Sequence, residues 1–224
     1  MIESSSPRLW HLTHPESTTG HSVVPTLLGR QGVFGTDGSL QGYELLFRAA
    51  GLSGARADLW DADGQNLATE HVIAAAFHQG FDVADGRHTS VNFTGSYLVS
   101  RDSLDCDPAT VIIEIVESTD AHQALLDRLR ELRAQGFRIA IDDFVANDAQ
   151  CALLALADFV KIDYRDLVAT GESLVALARG GNRRLVAERI ETREQFDETL
   201  ALGFDLFQGH YFEAAIVIAV PQPA

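Results

Sequence analysis

The sequence predicts an α/β fold, a TIM-like (β/α)8 barrel whose first strand runs antiparallel. Two observations predict it. From Leu28 onward, short apolar and β-branched runs alternate with stretches of helical period. The first two runs are separated only by TDGS at 36–39, a turn suited to a hairpin, so the chain opens antiparallel before the βα rhythm begins. A length of 224 residues lies within the range of one such barrel.

The elements follow in order. Residues 1–24 are polar, rich in Ser, Thr and His, and carry no period, so a flexible tail is expected ahead of a single domain over 25–224. Strand candidates lie at 28–34, 41–48, 88–93, 110–116, 137–142, 158–163, 184–189 and 204–208. Eight strands with intervening helices favour a closed barrel over an open sheet. A helix over 66–79 ends at Gly80. A second over 120–135 puts Ala121, Leu125, Leu129 and Leu132 on one face and stops at Gly136. A third over 193–202 opens with the capping box Thr192-x-x-Gln195 and stops at Gly203. AAIVIAV at 214–220 reads either as a last barrel element or as an exposed stub.

Composition narrows the function. The formal charge of −15 and pI near 4.8 repel a nucleic-acid backbone, which argues against a polymer binder. A small anionic substrate is compatible if cations screen the site. Cys106 and Cys151 have no metal-ligand spacing and read as reduced thiols. MIESSSPRLWHLTH has no charged region followed by an apolar one, and no apolar run reaches membrane-spanning length, so a cytoplasmic protein with no membrane partner is expected.

Barrel chemistry collects at the C-terminal ends of the strands. Those ends carry Glu44 and Arg48, Asn92, Glu114 with Glu117, Asp142 and Asp143, Lys161 with Asp163, Glu188 with Glu191, and Gln208. Any one of them has an ordinary reading as an ion pair, a turn or a first helical turn. Together they place five or more carboxylates at one mouth, which is costly without cations. One lysine cannot neutralise them. An all-oxygen carboxylate–amide shell suits Mg²⁺ or Mn²⁺, and two adjacent aspartates can bridge two ions.

The ordered motifs YELLFR, VNF, EIVE, IDDF, VKID, ERIE and QGH resemble the EAL domains, the cyclic-di-GMP phosphodiesterases. RQGVF, DDFV, ADFVKID, AERIET and GFDLFQG are most similar to the EAL part of proteins that join it to an HDOD domain. The resemblance runs from about Gln31 to Phe212. It implies that Glu44, Asn92, Glu114 and Asp142 hold one metal, and that Asp142 and Asp143 hold a second with Glu191 nearby. It implies that Lys161 orients the attacking water, that Glu188 is the general base or positions water, and that Asp143 belongs to the same catalytic set. Gln31, Arg48 and Gln208 are implied to bind the substrate, Arg48 through a phosphate oxygen, and Gln208 also to complete the water and metal shell. The implied reaction converts cyclic di-GMP to pGpG, with a homodimer or a regulatory protein as further partner.

Three departures from the family pattern stand out. Val145 replaces the first glycine after the double aspartate, in DDFVANDAQ. Arg189 replaces the glycine between the two glutamates. HYFEAAIVIAV replaces the usual ending. Valine resists positive φ, so the loop after Asp143 is expected to take another path. Two readings stay open: a metal-dependent phosphodiesterase, and a degenerate module acting as a cyclic-di-GMP-binding or protein-interaction regulator.

Overall fold

The computed structural model describes residues 26–48, 60–77 and 82–220. The tail expected over 1–24 and the helix stop at Gly80 lie outside those residues. Among the described residues nine strands form one sheet: β1 (Thr26–Gly35), β2 (Leu40–Phe47), β3 (His88–Phe93), β4 (Val111–Ile115), β5 (Arg138–Ile141), β6 (Phe159–Asp163), β7 (Arg184–Glu188), β8 (Leu206–Phe207) and β9 (Ile216–Val220). Strands β2 to β8 are parallel neighbours in chain order. β1 pairs antiparallel with both β2 and β8, which closes the expected barrel.

Closure at β1 is uneven. Its later residues pair with β8 only at Phe34↔Phe207 and Gly35↔Leu206. Its earlier residues, Thr26 to Arg30, pair along the same edge with β9. Between them, the Gly32 N–H donates to Glu213 Oε2 at 3.1 Å. The 214–220 segment is therefore a strand added to β1, although Val217 stays 56% exposed. In front of it, Phe212 stacks on Phe34 at 4.9 Å and meets Phe196 edge-on at 5.3 Å, which anchors the divergent ending.

The helices cover the outside: α1 (Ala62–Phe77), α2 (Gly95–Val99), α3 (Gln123–Ala134), α4 (Asp148–Leu153), α5 (Tyr164–Thr170), α6 (Glu172–Ala178) and α7 (Arg193–Ala201). α1 starts earlier than expected because Asp61 accepts from the Gly64 N–H at 2.9 Å. α3 starts later because His122 Nδ1 accepts from the Leu125 N–H. The α7 capping box is formed as the sequence indicates. α2, α4, α5 and α6 span five to seven residues. That is under two turns, too short for a repeat to show in the sequence.

The main core lies between barrel and helices, where Phe93, Leu98, Ile113, Leu125, Leu129 and Leu132 are fully buried. A smaller cluster fills the barrel's waist: Ala140, Phe159, Val186 and Leu206, with Val33 and Ile112 against them. Among the described residues no helix is long and apolar enough to cross a membrane.

Candidate active site

A cavity of about 740 Å³ opens at the C-terminal ends of the strands. Its wall includes Glu44 and Lys161, inside β2 and β6, and Asn92, Asp142, Asp143 and Glu188, near or just beyond the ends of their strands. Register brings them level: Gln31 faces Glu44 across β1 and β2, and Asn92 faces Glu114 across β3 and β4. Most of the sequence candidates thus converge as expected.

Lys161 stands at their focus. Its Nζ lies 2.8 Å from Glu188 Oε1, 3.0 Å from Asp142 Oδ1 and 3.4 Å from Glu44 Oε2, and it also contacts Glu114 Oε1. Burial works against its charge, but Asp142, Glu114, Glu188 and Glu44 outweigh burial and raise its pKa well above the usual value. The lysine therefore remains an ammonium ion. Burial pushes Glu114 well above the carboxylate range against the pull of Lys161, with Glu44, Asp142 and Glu188 pushing the same way. Burial likewise lifts Glu188 to about 8. One cation among four carboxylates leaves an excess of negative charge, which protons or bound cations must relieve.

The donor set fits a hard divalent cation. Glu117, Asp142 and Asp143 each offer an oxygen within 4.8 Å of the others. Two buried acceptors beside them, Asn92 Oδ1 and Glu114 Oε2, have no hydrogen-bond partner within the protein. Unpartnered buried oxygens next to carboxylates are what a cation shell would satisfy. Asp143 is lifted to about 6, first by burial and then by the neighbouring Asp142 charge. Glu117 was absent from the sequence-derived ligand set, although the E-x-x-E spacing of EIVE carries the signal. Glu191 lines the same cavity but lies outside this group of three. Asp163, a candidate by its place at a strand end, is turned away from the cavity: it caps α5 and pairs with Arg165 and Arg189.

The loop after β5 takes the other path that Val145 requires. Asp143 (φ 41°) and Ala146 (φ 61°) adopt the left-handed conformation, and Val145 does not. Gln150, 3% exposed, braces the loop. Its Oε1 accepts from the Val145 N–H at 2.9 Å, and its Nε2 donates to the carbonyls of Asp143 at 2.9 Å and Asp142 at 3.2 Å. Gln150 lies outside the sequence candidates, yet Asn147-x-x-Gln150 is a helix-start signature, and Asn147 does cap α4. Arg189 holds φ 55°, the conformation the replaced glycine would favour, and its Nε reaches Asp163 Oδ2 at 2.7 Å.

The implied binding residues also meet here. Gln208 Nε2 donates to Glu44 Oε2 at 2.6 Å and to Gln31 Oε1 at 3.1 Å. Arg48 lines the cavity beside Gln31, its Nη1 on the Phe47 carbonyl at 2.7 Å. Gly209 lets the chain after Gln208 press against β7's exit, where an added Cβ would lie 2.1 Å from the Ile190 carbonyl oxygen.

Comparison with known proteins identifies the architecture. YkuI of Bacillus subtilis, an EAL-domain protein solved in complex with c-di-GMP and calcium, superimposes with a TM-score of 0.69 at 19% identity, over 89% of this chain and 56% of that one. An EAL domain protein from Listeria monocytogenes gives 0.66 at 22% identity, over 85% and 89%. In sequence, the uncharacterised protein YuxH of Bacillus subtilis is 31% identical over 201 residues, 86% of this chain and 48% of YuxH. The cyclic di-GMP phosphodiesterase CdgJ of Vibrio cholerae is 32% identical over 205 residues, 88% of this chain and 46% of CdgJ. The chain thus spans about half the length of these curated relatives. The family model described as EAL domain matches residues 66–215, most of the chain and the part of the site from Asn92 to Gln208, and with the barrel and its carboxylates in place the chain belongs to the EAL domain family.

Proposed function

We propose that this chain is a divalent-cation-dependent phosphodiesterase that opens one phosphodiester bond of cyclic di-GMP to give pGpG. The observation that carries the reading is the group Glu117, Asp142 and Asp143 beside the unpartnered oxygens of Asn92 and Glu114, all at the barrel mouth. The name of CdgJ and the c-di-GMP and calcium bound to YkuI support the substrate and the cation class.

Glu44, Asn92, Glu114 and Asp142 would hold one Mg²⁺ or Mn²⁺, and Asp142 and Asp143 a second, with Glu117 and Glu191 beside them. When bound, the ions would supply Lewis-acid charge and an activated water. The protein's own groups act around them. Glu188, at the cavity wall and 2.8 Å from Lys161 Nζ, is the base that takes the proton of the attacking water once cations hold it ionised. The Lys161 ammonium orients that water and offsets the charge that develops on the phosphorus oxygens. Arg48 takes a phosphate oxygen, and Gln31 and Gln208 hold the nucleotide side of the cavity. A homodimer or a regulatory protein partner rests on the resemblance alone.

A second reading has its own support. Lys161 already contacts four carboxylates, and the loop braced by Gln150 differs from the glycine-rich form. Such a site could bind cyclic di-GMP without turning it over. Incubation with cyclic di-GMP and Mg²⁺ or Mn²⁺, followed by chromatography, separates the two. Appearance of pGpG, lost in Glu44→Ala, is the expected result. Calorimetric binding without product establishes the second reading, and neither binding nor product removes both.

A further inference from the structure

The opposite end of the barrel carries a second cavity, of about 110 Å³, that the proposed reaction does not use. Glu114, Lys161 and Gln208 close its upper end, the apolar waist around Phe159 and Val186 forms its wall, and His88, Arg138 and Arg184 stand at its lower rim. These three belong to the first residues of β3, β5 and β7, alternate strands of the barrel. Alternate strands contribute to one interior layer, so this end of the barrel is floored by basic side chains, with Glu114 as the acid at the cavity's upper end.

The basic floor is poorly compensated. Arg138 Nη2 is buried and has no hydrogen-bond partner. Burial lowers the Arg138 pKa; Asp158 counters this, and the charge of Arg184 adds to it. Asp158 is already engaged, Oδ1 with Arg133 Nη2 at 3.0 Å and Oδ2 with the Ile139 N–H at 2.9 Å. His88 feels burial first and then Arg138, and both oppose its protonation. Two guanidinium groups at one rim, one of them with a buried donor atom that has no partner, are unfavourable unless an anion joins them.

We propose that this rim is a binding site for a small tetrahedral oxyanion of the phosphate class, held by Arg138 and Arg184 with His88 as a third donor. Size sets the class: the cavity is well below the roughly 300–1,000 Å³ of pockets for organic ligands. Guanidinium groups match oxyanion geometry through paired N–H donors. The acid at the upper end, Glu114, is level with Ala140, two residues or about 7 Å along the strand beyond Arg138, and its Oε1 contacts the Lys161 ammonium, which offsets its charge towards an anion at the rim. Arg138, Arg184 and His88 take no part in the reaction proposed at the mouth, so the test is independent of that reaction.

The probe is inorganic phosphate, titrated by calorimetry into the metal-free protein at low ionic strength, where no cation at the mouth can capture it. Saturable binding at one site is expected, with a chemical-shift change of the His88 imidazole. Arg184→Met and Arg138→Met should each weaken binding at least tenfold, while Arg130→Met, on the exposed face of α3, leaves it unchanged. If Arg138→Met does not fold, Arg184→Met decides alone, since Arg184 is exposed and its loss does not open the core. A nucleoside monophosphate titrated in parallel should bind more weakly than phosphate; tighter binding overturns the choice of a free oxyanion. Absence of saturable binding in the parent protein, or equal binding in Arg184→Met, overturns the site.

Discussion

Lys161 shows what one residue must balance. Its ammonium contacts four carboxylates while 4% exposed, so its removal leaves like charges buried together. Breaking a buried pair by removing one partner costs about 3–5 kcal/mol. Lys161→Met should therefore destabilise the protein by about that amount in chelator, measured by urea unfolding, and Mn²⁺ should recover part of the loss by taking over the charge balance. A variant as stable as the parent would mean that the carboxylates already carry enough protons to stand alone. Most of this constellation was legible in the sequence, because a charged side chain that ends an apolar strand contributes little to packing and costs free energy to bury. Glu117 escaped the ligand set because it stands two residues past the end of β4, where chain direction is no longer fixed by strand alternation.

The loop after β5 and the short helix α4 show why elements were harder to read. α4 spans six residues and gives no period, so the brace that Gln150 provides was invisible although its capping signature stands in the sequence. Gln150→Ala would leave the Val145 N–H and the carbonyls of Asp142 and Asp143 without their present partners. Unsatisfied buried groups cost about 1–3 kcal/mol each. With partial rescue by water, a loss of about 2 kcal/mol in unfolding free energy is expected, together with weaker Mn²⁺ binding by calorimetry, because both aspartates lose their backbone support. Gln150→Glu, which keeps the acceptor and loses the donor, should retain the Val145 contact and still weaken cation binding. β9 is the other element left open by the sequence: an apolar run of that length suits a strand or a stub equally, and only the free edge of β1 decides between them.

Across the whole molecule, acidity at the barrel mouth sets the response to pH. Glu188 has a folded pKa of about 8, above the roughly 4.3 of an unfolded glutamate. Between those values the folded chain holds a proton that the unfolded chain has released, so stability falls as pH rises. From pH 6 to 8 the metal-free protein should lose about 1.4 kcal/mol per pH unit for each such proton, with Glu114 acting in the same direction as Glu188 and Asp143, at about 6, adding to the slope at the lower end. Mn²⁺ should reverse that slope, since cation binding displaces the proton and tightens as pH rises. Urea unfolding at pH 6, 7 and 8, in chelator and in Mn²⁺, checks both signs; a flat profile in chelator would show that Glu188 is ionised throughout. The barrel was legible at this scale from the rhythm of strands and helices and from the hairpin that begins it.

The uneven closure of that barrel has a kinetic consequence. β8 is held by only two residue pairs on each flank, to β1 and to β7, as β5 is to β6, while β3 and β4 are joined along five. Local opening follows the weakest contacts, so the barrel has a seam, and amide hydrogens of Leu206 and Phe207 should exchange with solvent long before those of Val91 and Ile113. The seam also separates Gln208 from Gln31, whose side chains touch across it at 3.1 Å. A nucleotide gripped by both glutamines would act as a staple: occupancy at the mouth would slow exchange at the seam, a readout of binding that needs neither turnover nor a bound metal.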